Sequence, residues 1–150
     1  MPLILEDDKM CFACGSKNTK GLRLKFTHPQ PGKLLSTVVF TKHHQGYKNI
    51  VHGGMMATVL DEIMVNLAWI EGKPAVTAQL NVSLKKAAKV GENIHLEGRL
   101  VKEKARTLYT RSEAKNDQGE VLATAEGVCV KIRIKNGSAS LTTILSKAPL

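Results

Sequence analysis

The chain has 150 residues, of which 43% are hydrophobic and 23% charged, and its 22 Lys and Arg against 13 Asp and Glu give a formal charge of +9. That length predicts one domain around a single core, and the longest apolar run, residues 55–70, is interrupted by Asp61, Glu62 and Asn66 and is too short for a membrane span. The charge predicts an acidic partner, which leaves nucleic acid, an anionic surface or a phosphorylated small molecule. Six aromatic residues, not interleaved with the scattered basic ones, argue against stacking on single-stranded nucleic acid. The first eight residues carry neither a basic flank nor a signal-type apolar stretch. With only three cysteines, a reducing and therefore cytoplasmic setting is expected.

In chain order, residues 1–20 read as an irregular segment carrying Cys11-Phe-Ala-Cys14-Gly15. A Cys-x-x-Cys pair needs two further ligands to hold zinc, and no second such pair or His-x3-His supplies them. His28, His43 and His44 can join only through the fold, so the simpler reading is two thiols packing a knuckle, with no metal. Residues 21–28 alternate apolar and polar and read as a half-buried strand, followed by a turn at Pro29-Gln-Pro-Gly32 and a second strand over residues 33–40. A polar loop leads to a helix from Gly53 to Ile70, which Gly72-Lys-Pro74 ends. Four strand-like segments follow, at 75–84, 91–101, 107–115 and 120–134, with a hairpin turn at Asn116-Asp-Gln-Gly119. Cys129 falls in the last of these as a core thiol. The order β-β-α-β-β-β-β predicts an α+β fold, one long helix packed on and wrapped by about six antiparallel strands. Domain bounds follow: an N-terminal segment 1–20, a folded domain 21–134 and a loose tail 135–150.

The helix carries the chemistry. Its sequence is apolar nearly all round, which predicts burial, yet Asp61 stands in the middle of it, and a buried carboxylate is costly unless paired, hydrogen-bonded or used. It reads either as a nucleophile or general base, or as a core acid bonded to a neighbouring strand, for instance through the Thr77 hydroxyl. Glu62, about 100° further round the helix, reads as a polar edge contact. Gly53 and Gly54 lie at the helix N-terminus, where backbone N–H groups are unpaired and suit a developing oxyanion. Gly53 and Asp61 are eight residues apart, about 12 Å along a helix axis. One carbonyl cannot reach both within one helix, so joint action predicts a homodimer with its helices side by side and antiparallel.

The segment Gln45-Gly-Tyr-Lys-Asn-Ile-Val-His-Gly-Gly-Met-Met-Ala-Thr-Val-Leu-Asp61 resembles the signature of hot-dog fold acyl-CoA thioesterases of the 4-hydroxybenzoyl-CoA thioesterase superfamily. The similarity is to its phenylacetate-type and thioesterase-superfamily-member branch. The Cys-Phe-Ala-Cys-Gly start with Asn18 and Gly21-Leu22, Val90-Gly91-Glu92 and the last two strands are also similar to that branch, so the resemblance covers about residues 11–134. It implies a sheet curled round the helix, dimers joined edge to edge through the strand after the helix, and frequent pairing into tetramers. It implies that Asp61 is nucleophile or base, that the Gly53 N–H polarises the thioester carbonyl, that His52 shapes the turn, and that Thr77, sixteen residues after Asp61, holds the attacking water. Some relatives carry Asn where this chain has Gly46, and Asn49 stands nearby as a substitute.

Coenzyme A is a polyanion, and Lys85, Lys86, Lys89 and Arg106 flank the strands whose ends resemble the family's groove. The resulting expectation is hydrolysis of an acyl-CoA thioester, with substrate contacts from Gly54, Gly46, Asn49, Lys85, Lys86 and Arg106. No metal or other cofactor and no nucleic acid are expected. The alternatives are a non-catalytic acyl-CoA or lipid binder on the same fold, and a hydratase or dehydratase using His52.

Overall fold

The protein is described from a computed structural model, which covers residues 4–135 and 138–140. The helix α1 spans Gly53–Ile70, the bounds that the apolar run and its Gly stop predict. His52 caps it, its Nδ1 accepting from the Gly54 N–H at 2.8 Å, and Gly72 closes it in the left-handed region at φ 73°. Met56, Val59, Leu60, Ile63, Met64 and Leu67 are buried against the sheet. Along Gly54, Thr58, Asp61, Val65 and Trp69 the helix is half-buried or exposed. That spacing of three and four residues is one continuous stripe, so the sheet of one chain does not cover the helix completely.

The strands are β1 (Ile4–Leu5), β2 (Thr27–Gln30), β3 (Lys33–Val39), β4 (Ala75–Leu84), β5 (Asn93–Glu103), β6 (Thr107–Lys115), β7 (Val121–Lys131), β8 (Ile134–Lys135) and β9 (Ser138–Ser140). Six form one antiparallel sheet in the order β2-β3-β5-β6-β7-β4, and β1, β9 and β8 form a small second one. Register shifts at Thr77/Gln79 in β4 and at Leu100/Lys102 in β5 bend those strands locally, which helps the sheet to curve over α1. Among the described residues, β4 pairs with β7 on one side only. Its free edge carries the exposed Gln79, Leu80, Asn81 and Ser83. Among the described residues, no helix is long and apolar enough to cross a membrane.

Two contacts seat the helix. The buried Ser112 Oγ donates to the Leu60 carbonyl at 2.9 Å, and Gly98 faces Ile63 so closely that an added Cβ would lie 3.0 Å from the Ile63 carbonyl oxygen. Leu34, Phe40, Ile94, Leu96 and Leu122 complete the core.

The first expected strand is shorter and later than its alternation suggests. Arg23 adopts a left-handed φ of 51°, and the Leu22 and Leu24 N–H groups bond the Phe12 and Ala13 carbonyls. Residues 21–26 are thus a packed loop, and pairing begins only at Thr27. The turn expected from Pro29 starts two residues later, since Pro29 and Gln30 belong to the edge strand β2, where a missing N–H is tolerated. The last long strand stops at Lys131, after which the Ile132 N–H turns to the Pro74 carbonyl. The tail expected from residue 135 lies, beyond Lys135 and Ser138–Ser140, outside the described residues.

Replacing Gly98 with Val is expected to push α1 off the sheet and cost about 1–3 kcal/mol, read as a lower urea midpoint with unchanged denaturant slope.

Candidate active site

Asp61 lies at the border between α1 and the edge strand β4. The Thr77 Oγ1 donates to its Oδ1 at 2.7 Å, so the strand bond expected from the sequence is present, and it comes from the residue at the predicted spacing. Asp61 is half-buried. Burial holds its carboxyl above the usual Asp range; the Thr77 hydrogen bond opposes this, and the neighbouring Glu62 charge reinforces it. An acid raised in this way is a better proton acceptor than an exposed one.

The helix start forms a second centre. A groove of about 580 Å³ is lined by Gly46, Tyr47, Ile50, His52, Gly53, Met56 and Leu84, with Lys85, Lys86, Ala87 and Ala88 along one wall. The Gly54 N–H is taken by His52. Among the described residues the Gly53 N–H has no partner, which leaves it as the free donor at the positive end of α1. An added Cβ on Gly53 would stand 2.7 Å from the Leu84 Cδ1, so the bare backbone is what keeps the groove open there. Gly46 packs beside His52, with space for a Cβ only at ordinary contact distance. His52 itself is exposed, and its Nδ1 accepts a proton donor, which places the ring hydrogen of the neutral form on Nε2.

The other predicted residues divide. Lys85 and Lys86 are in the groove wall, with Lys86 ion-paired to Glu120. Asn49 is not among the groove-lining residues. It sits in a left-handed turn at φ 62°, its N–H bound to the Gln45 side chain and its carbonyl to the Val90 N–H. Arg106 lies beside Lys131, to whose N–H its carbonyl bonds. Lys131 pairs with Ala75, whereas the groove lies at the Leu84–Ala123 end of β4 and β7, so within one chain Arg106 is at the opposite end of the sheet. Tyr47, Ile50 and Leu84 line the groove without having been singled out by the sequence. Only their flanking of the His-Gly-Gly turn and the end of β4 hints at them.

Metal-ligating atoms gather elsewhere. Among the described residues the one group of three is Cys11, Cys14 and Glu62, all within 4.8 Å of one another. Burial first, and then the Glu62 carboxylate, push the Cys14 thiol far above its ordinary range. Cys129 is fully buried in the core as expected.

The thioesterase superfamily model matches residues 48–123, which takes in the helix start, Asp61, Thr77 and the strands β4 to β6 with the start of β7. This chain belongs to that superfamily. It is 28% identical over 88 residues to human acyl-coenzyme A thioesterase 13, covering 57% of this chain and 63% of that one. The chain therefore spans a little under two thirds of that relative's length. The structure of the thioesterase superfamily protein RHA08564 superposes with a TM-score of 0.77 at 26% identity, over 81% of this chain and 60% of that one. A Streptococcus mutans protein, smu.793, solved bound to acetyl CoA, superposes with a TM-score of 0.68 at 22% identity, over 72% of this chain and 87% of that one. At that identity the likeness is one of fold: a long helix on a six-stranded antiparallel sheet, the hot-dog architecture.

The raised Asp61 pKa has a stability consequence. Unfolded, Asp61 titrates at its ordinary value; folded, it titrates above it. Its favourable contribution is therefore full below the unfolded pKa, and it is lost as pH rises through the folded one. At neutral pH the folded chain carries the cost of a desolvated charge. Asp61→Asn, which keeps an oxygen for Thr77, is expected to raise the melting temperature at pH 7. The gain should shrink as the pH falls towards 4, which thermal unfolding of both proteins across that range will read.

Proposed function

We propose that the protein is an acyl-CoA thioesterase in which Asp61 activates water, or attacks, at the thioester carbon while the Gly53 N–H of a second subunit binds the developing oxyanion. The observation that carries this is the Thr77–Asp61 hydrogen bond at a half-buried helix position, within a chain whose superfamily includes named acyl-coenzyme A thioesterases. The Thr77 hydroxyl fixes one carboxylate oxygen and leaves the other for water. Proton abstraction there makes the nucleophile, and collapse of the tetrahedral adduct expels the CoA thiolate, a good leaving group that needs little help. In this reading coenzyme A is part of the substrate, and the chemistry is carried by a carboxylate, a water and a backbone dipole.

The dimer follows from the free edge of β4. Antiparallel pairing of two copies centred on Asn81, with Ala78 the extra residue at the β4 bulge, sets Thr77 opposite Leu84 of the partner subunit. Asp61 bonds Thr77 and Gly53 contacts Leu84, so this register brings Asp61 of one copy towards Gly53 of the partner subunit. The same register sets Ala75 opposite Lys86 of the partner subunit. Arg106 stands at the Ala75 end of its own sheet, so it would join the lysines of the partner's groove, a basic rim suited to the phosphates of CoA. Pairing of such dimers into tetramers, and a cytoplasmic location, remain part of the same proposal.

The role of His52 as helix cap argues against its use as the acid–base of a hydratase, since its Nδ1 is already engaged.

Free-thiol release from a panel of short, medium, long and aromatic acyl-CoAs is the test. Wild type is expected to turn over at least one class, with kcat/KM falling on the acid side as Asp61 takes up its proton. Asp61→Asn should lower kcat by about 10²–10⁴-fold, and Thr77→Ala by about tenfold or more. Tight acyl-CoA binding by wild type with no thiol released would leave the protein a binder, and full activity in Asp61→Asn would remove the mechanism.

A further inference from the structure

The turn Cys11–Gly15 lies outside the residues assigned to the proposed hydrolysis, yet its backbone is held at several points. The Gly15 N–H closes it onto the Cys11 carbonyl at 2.8 Å, and a Cβ at Gly15 would lie 2.5 Å from backbone atoms of Cys11 and Lys9. The Phe12 and Ala13 carbonyls accept from the Leu22 and Leu24 N–H groups at 2.8 and 2.9 Å, and the Ala13 side chain is buried in the main core. Asn18 Nδ2 ties the strand of chain before the turn through the Met10 carbonyl at 3.1 Å. A fixed turn thus carries two thiols against α1, where they meet Glu62.

Glu62 is half-buried, and among the described residues no Lys, Arg or His pairs with it. In a chain with a net charge of +9, a half-buried carboxylate without a cation, facing two thiols, is an arrangement that wants a positive charge. The spacing fits one. Zinc bound at about 2.3 Å to sulfur and about 2.0 Å to oxygen in a tetrahedron places those atoms about 3.5 Å apart. The Cys11 Sγ is 3.6 Å from the Glu62 Oε1. Asn66 Nδ2 holds the same carboxylate at 2.8 Å, the outer contact that orients a ligating group. A disulfide between the two cysteines would use neither Glu62 nor Asn66.

We propose that Cys11, Cys14 and Glu62 bind one divalent cation of the zinc class, with water as the fourth ligand, and that the cation clamps the N-terminal turn to the middle of α1. Each thiol gives up its proton to solvent on binding. Two thiolates and a carboxylate match the donor preference of zinc rather than of magnesium or calcium. The clamp joins residues 51 positions apart, next to Asp61 but on a different face of the helix, so its role is to hold the fold rather than to act on the thioester.

The test uses the full chain, reduced and stripped with a chelator, and titrated with cobalt and with zinc. Wild type is expected to take up one cobalt per chain with the intense visible bands of tetrahedral coordination and a thiolate charge-transfer band. Cys11→Ser, at an exposed position where the fold should survive, should lose the charge-transfer intensity and the rise in melting temperature that zinc gives wild type. Glu62→Gln should bind zinc about 10–100-fold more weakly. Three results would overturn the site: no uptake by the reduced wild type, an octahedral cobalt spectrum, or a Glu62→Gln variant that binds as tightly as wild type. Hydrolysis of acyl-CoA is not the readout, so failure here leaves the proposed reaction standing, and the reverse holds too.

Discussion

The hydrogen bond from Thr77 to Asp61 is the constraint on which the rest of the site depends. A carboxylate in an apolar helix needs a donor, and the helix backbone has none to spare, so a strand must supply it. The strand that does so is β4, the free edge of the sheet. This solution keeps Asp61 dehydrated enough to stay basic, and it also puts Asp61 at the margin of the fold, where a small molecule can reach it. Had the donor come from a central strand such as β6, the acid would have been sealed inside the core.

Under the proposed reaction, that placement leaves each chain with two half-sites. The Gly53 N–H at the start of α1 sits in a groove with the end of β4, and the Asp61 carboxylate sits two turns further along the same helix. A rigid helix cannot bend one group to the other. The half-exposed stripe of α1 and the unpaired β4 edge lie on the same side of the molecule, so covering one covers the other. In the dimeric reading, the surface that would otherwise be an exposed edge is the surface that completes the catalytic set. A raised Asp61 pKa is the cost of that arrangement to the folded state, a trade between stability and activity common at active sites.

The parts of this that could be read in the sequence were those with a period or a stop signal. The bounds of α1 follow from a largely apolar run between Gly53 and Gly72, and the Asp61–Thr77 contact from a helix acid needing a hydroxyl on the next strand. The strand count came from turn signals and alternation. Alternation misled at residues 21–26, where Leu22 and Leu24 point inward from a loop whose backbone bonds go to Phe12 and Ala13; a left-handed Arg23 leaves no compositional trace. Charge told that basic residues were in excess but not where they stand, so Lys85, Lys86 and Arg106 were grouped although one chain holds Arg106 at the far end of the sheet. Glu62 joined to Cys11 and Cys14 could not be seen at all, because only the fold brings residues so distant in sequence within reach.

The central claim is that one active site is built from two chains, and mixing two inactive variants tests it most directly. Gly53→Pro deletes the single N–H at the first helical position, where proline is tolerated, and sets its ring against the Leu84 side chain, closing the groove there; His52, at ψ 133°, already has the extended conformation that a following proline requires. Asp61→Asn removes the base. Each variant alone should be inactive as a homodimer. Unfolded together and refolded, the two should recover about a quarter of wild-type activity, because half the dimers are hybrids and each hybrid assembles one intact site of two. No recovery, in a mixture shown to contain hybrid dimers, would mean that Asp61 and Gly53 do not act on a shared substrate across the subunits.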